Sequence, residues 1–175
     1  MTRETRQLRT VATQFETRDD GGPHISGYFA VFNSIYEIAP GMSESIAPGA
    51  FSRALSGDIR ALINHDTTLV LGRTTAGTLQ LRVDDKGLYG TILINEKDQD
   101  AVNLYERVKR GDVSQCSFGF DILQEMREIR EDGIVVNHLQ RVKLWEVSVC
   151  TFPAYEDTGV SARAAELETE KRKQS

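Results

Sequence analysis

The sequence has few cysteines, no long apolar run and no excess of positive charge. Two cysteines among 175 residues cannot form a framework of several disulfides, which excludes a disulfide-rich secreted domain and favours a reducing compartment. No apolar run reaches the roughly 20 residues of a membrane helix, and residues 1–6 lack the apolar segment of a signal peptide. The net charge of −5 disfavours a nucleic-acid-binding surface, which is normally basic. These absences predict a cytoplasmic protein that binds neither nucleic acid nor a membrane.

What is present is typical of one folded domain. The hydrophobic fraction of 39% and the charged fraction of 27% match soluble globular proteins, and no internal repeat or low-complexity segment is visible. Beyond Pro153 the apolar pattern fades, and Leu167 is the one bulky apolar residue of the last fifteen. We therefore predict a single domain over residues 1–160 and a charged, flexible C-terminal tail over residues 161–175.

Alternating apolar residues dominate the rest of the chain. Strand patterns occupy residues 25–32, 59–65, 69–71, 79–83, 88–94, 114–122 and 141–150, with turn residues at 84–87 and 131–133. Helical patterns occupy residues 48–55 and a segment capped by Asp98 that runs to Arg110, where Gly111 ends it. Since no βαβ alternation is present, the pattern predicts a mainly β (α+β) fold, an antiparallel β-barrel or sandwich with a few helices around it.

Three polar residues fall where these strands should carry apolar side chains: His65, Ser114 and Glu146. Alternation places His65 at a strand end on the apolar side, Ser114 in line with Cys116, and Glu146 on the face of Leu144. A buried carboxylate without a partner is costly, so each polar group needs a reason to be there. If the three converge, the imidazole can take the serine proton while the carboxylate orients the ring and stabilises its charged form.

Each of these residues also has a structural interpretation. His65 can be a hydrogen-bonded histidine at a strand end, Ser114 an ordinary strand serine, and Glu146 half of an ion pair with Lys143 or Arg141. Spacing cannot prove convergence, because catalytic triads are defined by geometry and not by sequence order. From the residues alone, the pattern predicts no more than a hydrolase.

Two other chemistries are weaker alternatives. Cys116 could be the nucleophile of a cysteine hydrolase, but no basic residue near it in sequence suggests a lowered thiol pKa. His24, His65 and His138 could bind a metal, but neither their spacing nor acidic companions form a known ligand set. The sequence therefore predicts no metal and no cofactor.

Several motifs resemble the prohead (capsid maturation) proteases of tailed phages. The resemblance covers residues 28–160 and is carried by five stretches: Ile-Asn-His-Asp at 63–66, Leu-Gly-Arg-Thr at 71–74, Gly-Leu at 87–88, Val-Ser-Gln-Cys-Ser-Phe-Gly-Phe at 113–120 and Trp-Glu-Val-Ser-Val-Cys-Thr-Phe-Pro-Ala-Tyr at 145–155. That family is in turn similar to the herpesvirus assemblins.

The resemblance implies a serine endopeptidase on an assemblin-like β-barrel. Ser114 matches the nucleophile, His65 the catalytic histidine, and Glu146 the position where the herpesvirus enzymes carry a second histidine. A carboxylate can serve there because it accepts the imidazole N–H and stabilises the imidazolium. The herpesvirus enzymes continue with an arginine-rich loop that helps to hold the oxyanion, whereas Thr-Phe-Pro-Ala follows here at 151–154. Arg73 and the backbone around Ser114 are our candidates for that role.

The resemblance also implies a location and partners. Such proteases work inside the immature capsid, or prohead, in the host cytoplasm. They cut the scaffolding part of the major capsid protein and also cleave themselves, while association into a homo-oligomer is left open. The alternative from another class is a non-catalytic capsid scaffold or assembly component on the same fold. In that case Ser114→Ala would leave every activity unchanged.

Overall fold

The computed structural model describes residues 6–152 and 172–173, and most of the first range is β-structure. Its elements are β1 (Gln7–Ala12), β2 (Glu16–Arg18), β3 (His24–Val31), β4 (Tyr36–Ala39), β5 (Met42–Ile46), β6 (Arg60–Ile63), β7 (Asp66–Arg73), β8 (Leu79–Val83), β9 (Gly87–Leu93), α1 (Gln99–Arg110), β10 (Gln115–Ile129) and β11 (Val135–Cys150), with single 3-10 turns at Ala54–Ser56 and Thr74–Ala76.

The strands form two sheets. The larger has the order β1-β10-β11-β5-β4, with β6 also paired to β11 and β7 to β6, and the smaller has the order β2-β3-β9-β8. β11 runs antiparallel to β10 but parallel to β5 and β6. Within the described residues there is no closed barrel and the larger sheet is mixed, so only the mainly β part of the predicted fold is confirmed. Alternation of apolar and polar residues could not reveal the mixed sheet, because its period is the same whether neighbouring strands run parallel or antiparallel.

One hydrophobic core takes side chains from both sheets and from α1. Its fully buried members include Phe29 of β3, Leu88 and Ile92 of β9, Phe118 of β10 and Val147 of β11. Burying a large apolar side chain contributes about 1.5–3 kcal/mol, so this core fixes the face that β10 and β11 turn inward. The opposite face of these two strands is left for polar side chains.

α1 leads the chain into β10 as predicted. Asp98 caps its first turn by accepting from the backbone N–H of Asp100 at 3.1 Å, and Gly111 ends it in the left-handed conformation with φ of 92°. The other predicted helix, at 48–55, is reduced to turns and the short 3-10 segment. A proline at its start permits a helix but does not require one.

The predicted C-terminal tail, residues 161–175, lies outside the described residues except for Arg172 and Lys173. No helix in the described part of the chain combines the length and the apolar character required to span a membrane.

Candidate active site

His65 lies in the tight turn that joins β6 to β7. β6 ends at Ile63, and both Asn64 and His65 have left-handed backbone angles, with φ of 51° and 59°. Such angles are uncommon for residues with a side chain, although Asn and His adopt them more readily than most. The turn carries His65 out of the strand, so its expected place on the apolar face of that strand is wrong. The ring contacts β11 instead.

Hydrogen bonds to β11 hold this turn in place. The N–H of Asn64 donates to the carbonyl of Val149 at 3.0 Å. The Asn64 side chain accepts from the N–H of Thr151 at 2.8 Å and donates to the Thr151 hydroxyl at 3.3 Å. The N–H of His65 donates to Oγ of Ser148 at 3.1 Å. The two left-handed residues are therefore positioned by the strand that carries Glu146.

A β-bulge brings Glu146 to the same place. Gly119 of β10 pairs with Glu146, but the next residue, Phe120, pairs with Leu144, so Trp145 is an extra residue in β11. Such a bulge re-aims the side chains that follow it. Leu144 stays in the core, while Glu146 emerges on the other face. The expectation that these two share a face is therefore wrong.

His65 and Glu146 are in contact. Nδ1 of the ring is hydrogen-bonded to Oε1 of the carboxylate, whose Oε2 accepts from the Ser148 hydroxyl at 2.7 Å. Glu146 is only 6% exposed, so this pair is largely shielded from water. Within the described residues neither Lys143 nor Arg141 forms an ion pair with Glu146. When Nδ1 donates its N–H to this carboxylate, Nε2 is the nitrogen that can accept a proton.

Gly119 makes room for the carboxylate. A β-carbon at this position would lie 2.7 Å from Oε1 of Glu146 and 3.3 Å from its Cγ and Cδ. Glycine weakens a strand interior, and it is found there where another group must approach the backbone closely. The approaching group here is the side chain of Glu146.

Ser114 lies near this pair along the sheet but does not contact it. It precedes β10, its side chain is exposed, and its carbonyl accepts from the N–H of Thr13 at 3.1 Å. Its expected place in a buried strand, in line with Cys116, is therefore wrong. In the described structure its hydroxyl makes no hydrogen bond to His65. The pairing of its neighbour Gln115 with Cys150 nevertheless puts Ser114 at the end of the sheet where Cys150 lies.

Nε2 of His65 points toward that same end. It lies 3.8 Å from Sγ of Cys150, and a pocket of about 300 Å³ opens beside it. The pocket is lined by Thr10, Asn64, His65, Cys150, Thr151 and Phe152. Nε2 is therefore in contact with the Cys150 thiol and belongs to a residue that lines an open pocket.

Ser117 and Cys116 occupy different faces of β10. Ser117 pairs with Ser148 and is fully buried, and its hydroxyl has no hydrogen-bond partner in the part of the chain that the structure describes. Cys116 is fully buried in the core, where its thiol donates to the carbonyl of Tyr28 at 2.9 Å and burial raises its pKa. Cys116 does not contact His65 within the described residues, which argues against the predicted thiol alternative at this position.

Arg73 forms an ion pair with Asp58. Its guanidinium binds both carboxylate oxygens of Asp58, at 2.8 and 2.5 Å. This contact lowers the pKa of the Asp58 carboxyl to about 2, chiefly through the hydrogen bond from Arg73. Arg73 ends β7 whereas His65 immediately precedes its first residue, Asp66, so the strand separates them. Arg73 is therefore not placed to hold an oxyanion beside His65.

The three histidines do not converge. His138 is hydrogen-bonded to Ser45 at 2.6 Å and to Glu128 at 2.8 Å, and His24 starts β3 in the smaller sheet. In the described ranges no group of His, Cys, Asp and Glu side chains is arranged to hold a metal ion.

Sequence reasoning missed three residues of this site: Gly119, Ser148 and Cys150. Ser148 and Cys150 follow Glu146 at intervals of two, so alternation could have placed all three on one face. The role of Gly119 could not be found in this way, because it depends on the bulge across the ladder.

Comparison with known proteins identifies a related family. A family model described as "Caudovirus prohead serine protease" matches residues 10–173, a range that includes His65, Ser114 and Glu146. The "Prohead protease" of Enterobacteria phage HK97 is 32% identical over 155 residues, covering 86% of this chain and 64% of that protein. The chain thus spans slightly less than two thirds of the length of this curated relative.

A solved structure shares the fold. The bacteriophage T4 capsid assembly protease matches with a TM-score of 0.54 at 12% sequence identity, covering 83% of this chain and 98% of that one. At this identity the likeness concerns the fold alone.

Proposed function

The chain belongs to the caudovirus prohead serine protease family, and we propose that it is a serine endopeptidase. Ser114 is the nucleophile, His65 the general base, and Glu146 the carboxylate that orients the base. The observation that supports this most is the hydrogen bond between Nδ1 of His65 and the largely buried Glu146. It leaves Nε2, beside an open pocket, as the nitrogen that can take the proton of the Ser114 hydroxyl.

The proposed reaction follows from these roles. Nε2 of His65 takes the proton of the Ser114 hydroxyl as the oxygen attacks the peptide carbonyl carbon. Glu146 stabilises the resulting imidazolium, which then gives the proton to the leaving amine. Water, activated by the same nitrogen, hydrolyses the acyl-enzyme and restores Ser114.

Ser114 must approach Nε2 for this chemistry. Its backbone is held by the bond from Thr13, while its exposed side chain can change rotamer. Catalytic hydrogen bonds are often long in free enzymes and tighten when substrate binds. Ser117 is a poorer candidate, because it is fully buried opposite Ser148, whereas Ser114 is exposed.

Cys150 supports a second candidate, a cysteine hydrolase, because its thiol is 3.8 Å from Nε2 of His65. The thiol is only 4% exposed, however, and burial raises its pKa to about 12, with the charge of Glu146 adding to the effect. Such a thiol stays protonated at neutral pH. We therefore favour the hydroxyl of Ser114.

The proposed substrates are the scaffolding portion of the phage major capsid protein and the enzyme itself. The names of the two relatives, a prohead protease and a capsid assembly protease, support this choice. The proposed location is the interior of the immature capsid in the host cytoplasm. The alternative is a non-catalytic scaffold or assembly component, which would bind capsid protein without cutting it.

Co-expression with the major capsid protein of the same phage tests this function. We expect mass spectrometry to find new capsid termini at defined peptide bonds, together with fragments of the enzyme. Cys150→Ala should keep processing within about threefold of wild type, because a buried, protonated thiol is not the nucleophile. Intact capsid protein with the wild-type enzyme would favour the scaffold component, whereas loss of processing in a folded Cys150→Ala would favour the cysteine hydrolase.

A further inference from the structure

We propose that Ser148 is a positioning residue that fixes both members of the His65–Glu146 pair at once. This inference rests on the proposed function, because it takes that pair to be catalytic. The Ser148 hydroxyl donates to Oε2 of Glu146 at 2.7 Å and accepts from the backbone N–H of His65 at 3.1 Å. It thereby closes a hydrogen-bonded ring that runs from Ser148 through the carboxylate to the imidazole and back through the His65 backbone.

The first task of Ser148 is to hold the backbone of His65. Asn64 and His65 are two consecutive left-handed residues, and such conformations persist only where the surroundings hold them. The Asn64 backbone and side chain are bound to Val149 and Thr151. The N–H of His65 is bound by the Ser148 hydroxyl. Without that hydroxyl the N–H of His65 would lose its acceptor. The imidazole would then be positioned by one hydrogen bond fewer.

The second task is to orient the carboxylate. The terminal torsion of a glutamate is soft, so one hydrogen bond alone does not fix the plane of its oxygens. Oε1 is held by the His65 ring and rests against Gly119, while Oε2 is held by Ser148. Two bonds to different oxygens fix the plane. Loss of the Ser148 bond would let the carboxylate rotate away from the line of Nδ1.

Ser148 does not touch the substrate. It is fully buried, and its proton is directed at Glu146, on the Nδ1 side of the ring and away from the pocket at Nε2. Its removal should therefore slow the chemical step without weakening substrate binding.

The test compares Ser148→Ala with a matched control, Ser26→Ala. Ser26 is also a buried strand serine, 5% exposed and bonded to the Thr91 hydroxyl at 3.1 Å, but it lies in the smaller sheet. The probe is a fluorophosphonate that reacts with activated serines, and the readouts are its labelling rate and the NMR signal of the His65 Nδ1 proton. For Ser148→Ala we expect labelling about tenfold slower or more and a shifted Nδ1 signal. Ser26→Ala should match wild type in both.

The outcomes separate this inference from the function on which it rests. Labelling of Ser114→Ala at the wild-type rate would overturn the proposed nucleophile. An unlabelled Ser114→Ala beside a Ser148→Ala with wild-type labelling rate and Nδ1 signal would overturn only the role of Ser148. Should Ser148→Ala not fold, Ser148→Cys carries the same test, because a thiol of similar size is a much weaker donor and acceptor. A Ser148→Cys that behaves as wild type would also overturn the inference.

Discussion

Ser114→Ala should abolish peptide cleavage and leave the fold intact. Removing the nucleophile of a serine protease takes away nearly all of the catalysis that the triad supplies, so we expect turnover to fall by about four orders of magnitude or more. Stability should change by no more than about 0.5 kcal/mol, because Ser114 is exposed and its hydroxyl holds no other element. Cleavage of capsid protein and the urea midpoint, measured on one preparation, check both expectations.

The matched controls are Ser117→Ala and Cys116→Ala. Both residues lie within three positions of Ser114 and both are fully buried, and both variants should keep measurable turnover per folded molecule. Cys116→Ala should lose some stability with the bond of its thiol to Tyr28, whereas Ser117→Ala should be neutral or slightly stabilising, because it removes a buried hydroxyl that has no partner among the described residues. A fully active Ser114→Ala beside a dead, folded Ser117→Ala would move the nucleophile three residues along β10. That result would require Ser117 to become accessible, because its hydroxyl is shielded from solvent in this structure.

Glu146→Gln should reduce turnover by about a hundredfold or more, since loss of the corresponding carboxylate is among the larger single effects known in serine proteases. The amide is isosteric, but it offers His65 a neutral partner in place of a charge. An amide that donates to Nδ1 would also move the ring proton to Nε2, where it blocks the base. The kcat of peptide cleavage should fall, with KM nearly unchanged.

The stability of Glu146→Gln should respond in the opposite direction. A buried charge contributes little net stability even when it is paired, so its neutral isostere should give an equal or slightly higher urea midpoint. The structural interpretation of Glu146, as a partner of Lys143 or Arg141, makes the reverse prediction. It has little support, because the Lys143 ammonium lies over the Trp145 ring, 3.9 Å from its centre. An active but destabilised Glu146→Gln would nevertheless remove Glu146 from the site.

The parts of the fold that could be predicted are those set by local chemistry. Asp98 and Gly111 bound α1 as expected, because a cap and a left-handed terminator act within a turn of the helix. The turn at 84–87 lies between β8 and β9 as expected, with Asp84 accepting from the N–H of Gly87 at 3.1 Å. The parallel pairing of β5 and β6 with β11 was not predictable, because it joins segments far apart in sequence.

The contact between His65 and Glu146 could be anticipated from the sequence, but its geometry could not. The contact between His65 and Glu146 agrees with the expected convergence, but each residue reaches it by a departure from alternation. His65 leaves β6 through two left-handed residues, and Glu146 changes face at the Trp145 bulge. Neither departure has a reliable local signal, because a bulge depends on the facing strand and left-handed Asn-His needs the bonds from β11. Ser148 did have a local signal, because it follows Glu146 by two residues and alternation places both on one face.

The most direct test of the central claim is to locate the reactive nucleophile by mass spectrometry. The full chain is incubated with a fluorophosphonate probe, digested and mapped, with His65→Ala as the control. The proposed mechanism predicts one labelled peptide with the adduct on Ser114, and no adduct in His65→Ala. An adduct on Ser117, or an unlabelled wild-type enzyme that still cleaves capsid protein, would contradict the assignment of Ser114, His65 and Glu146.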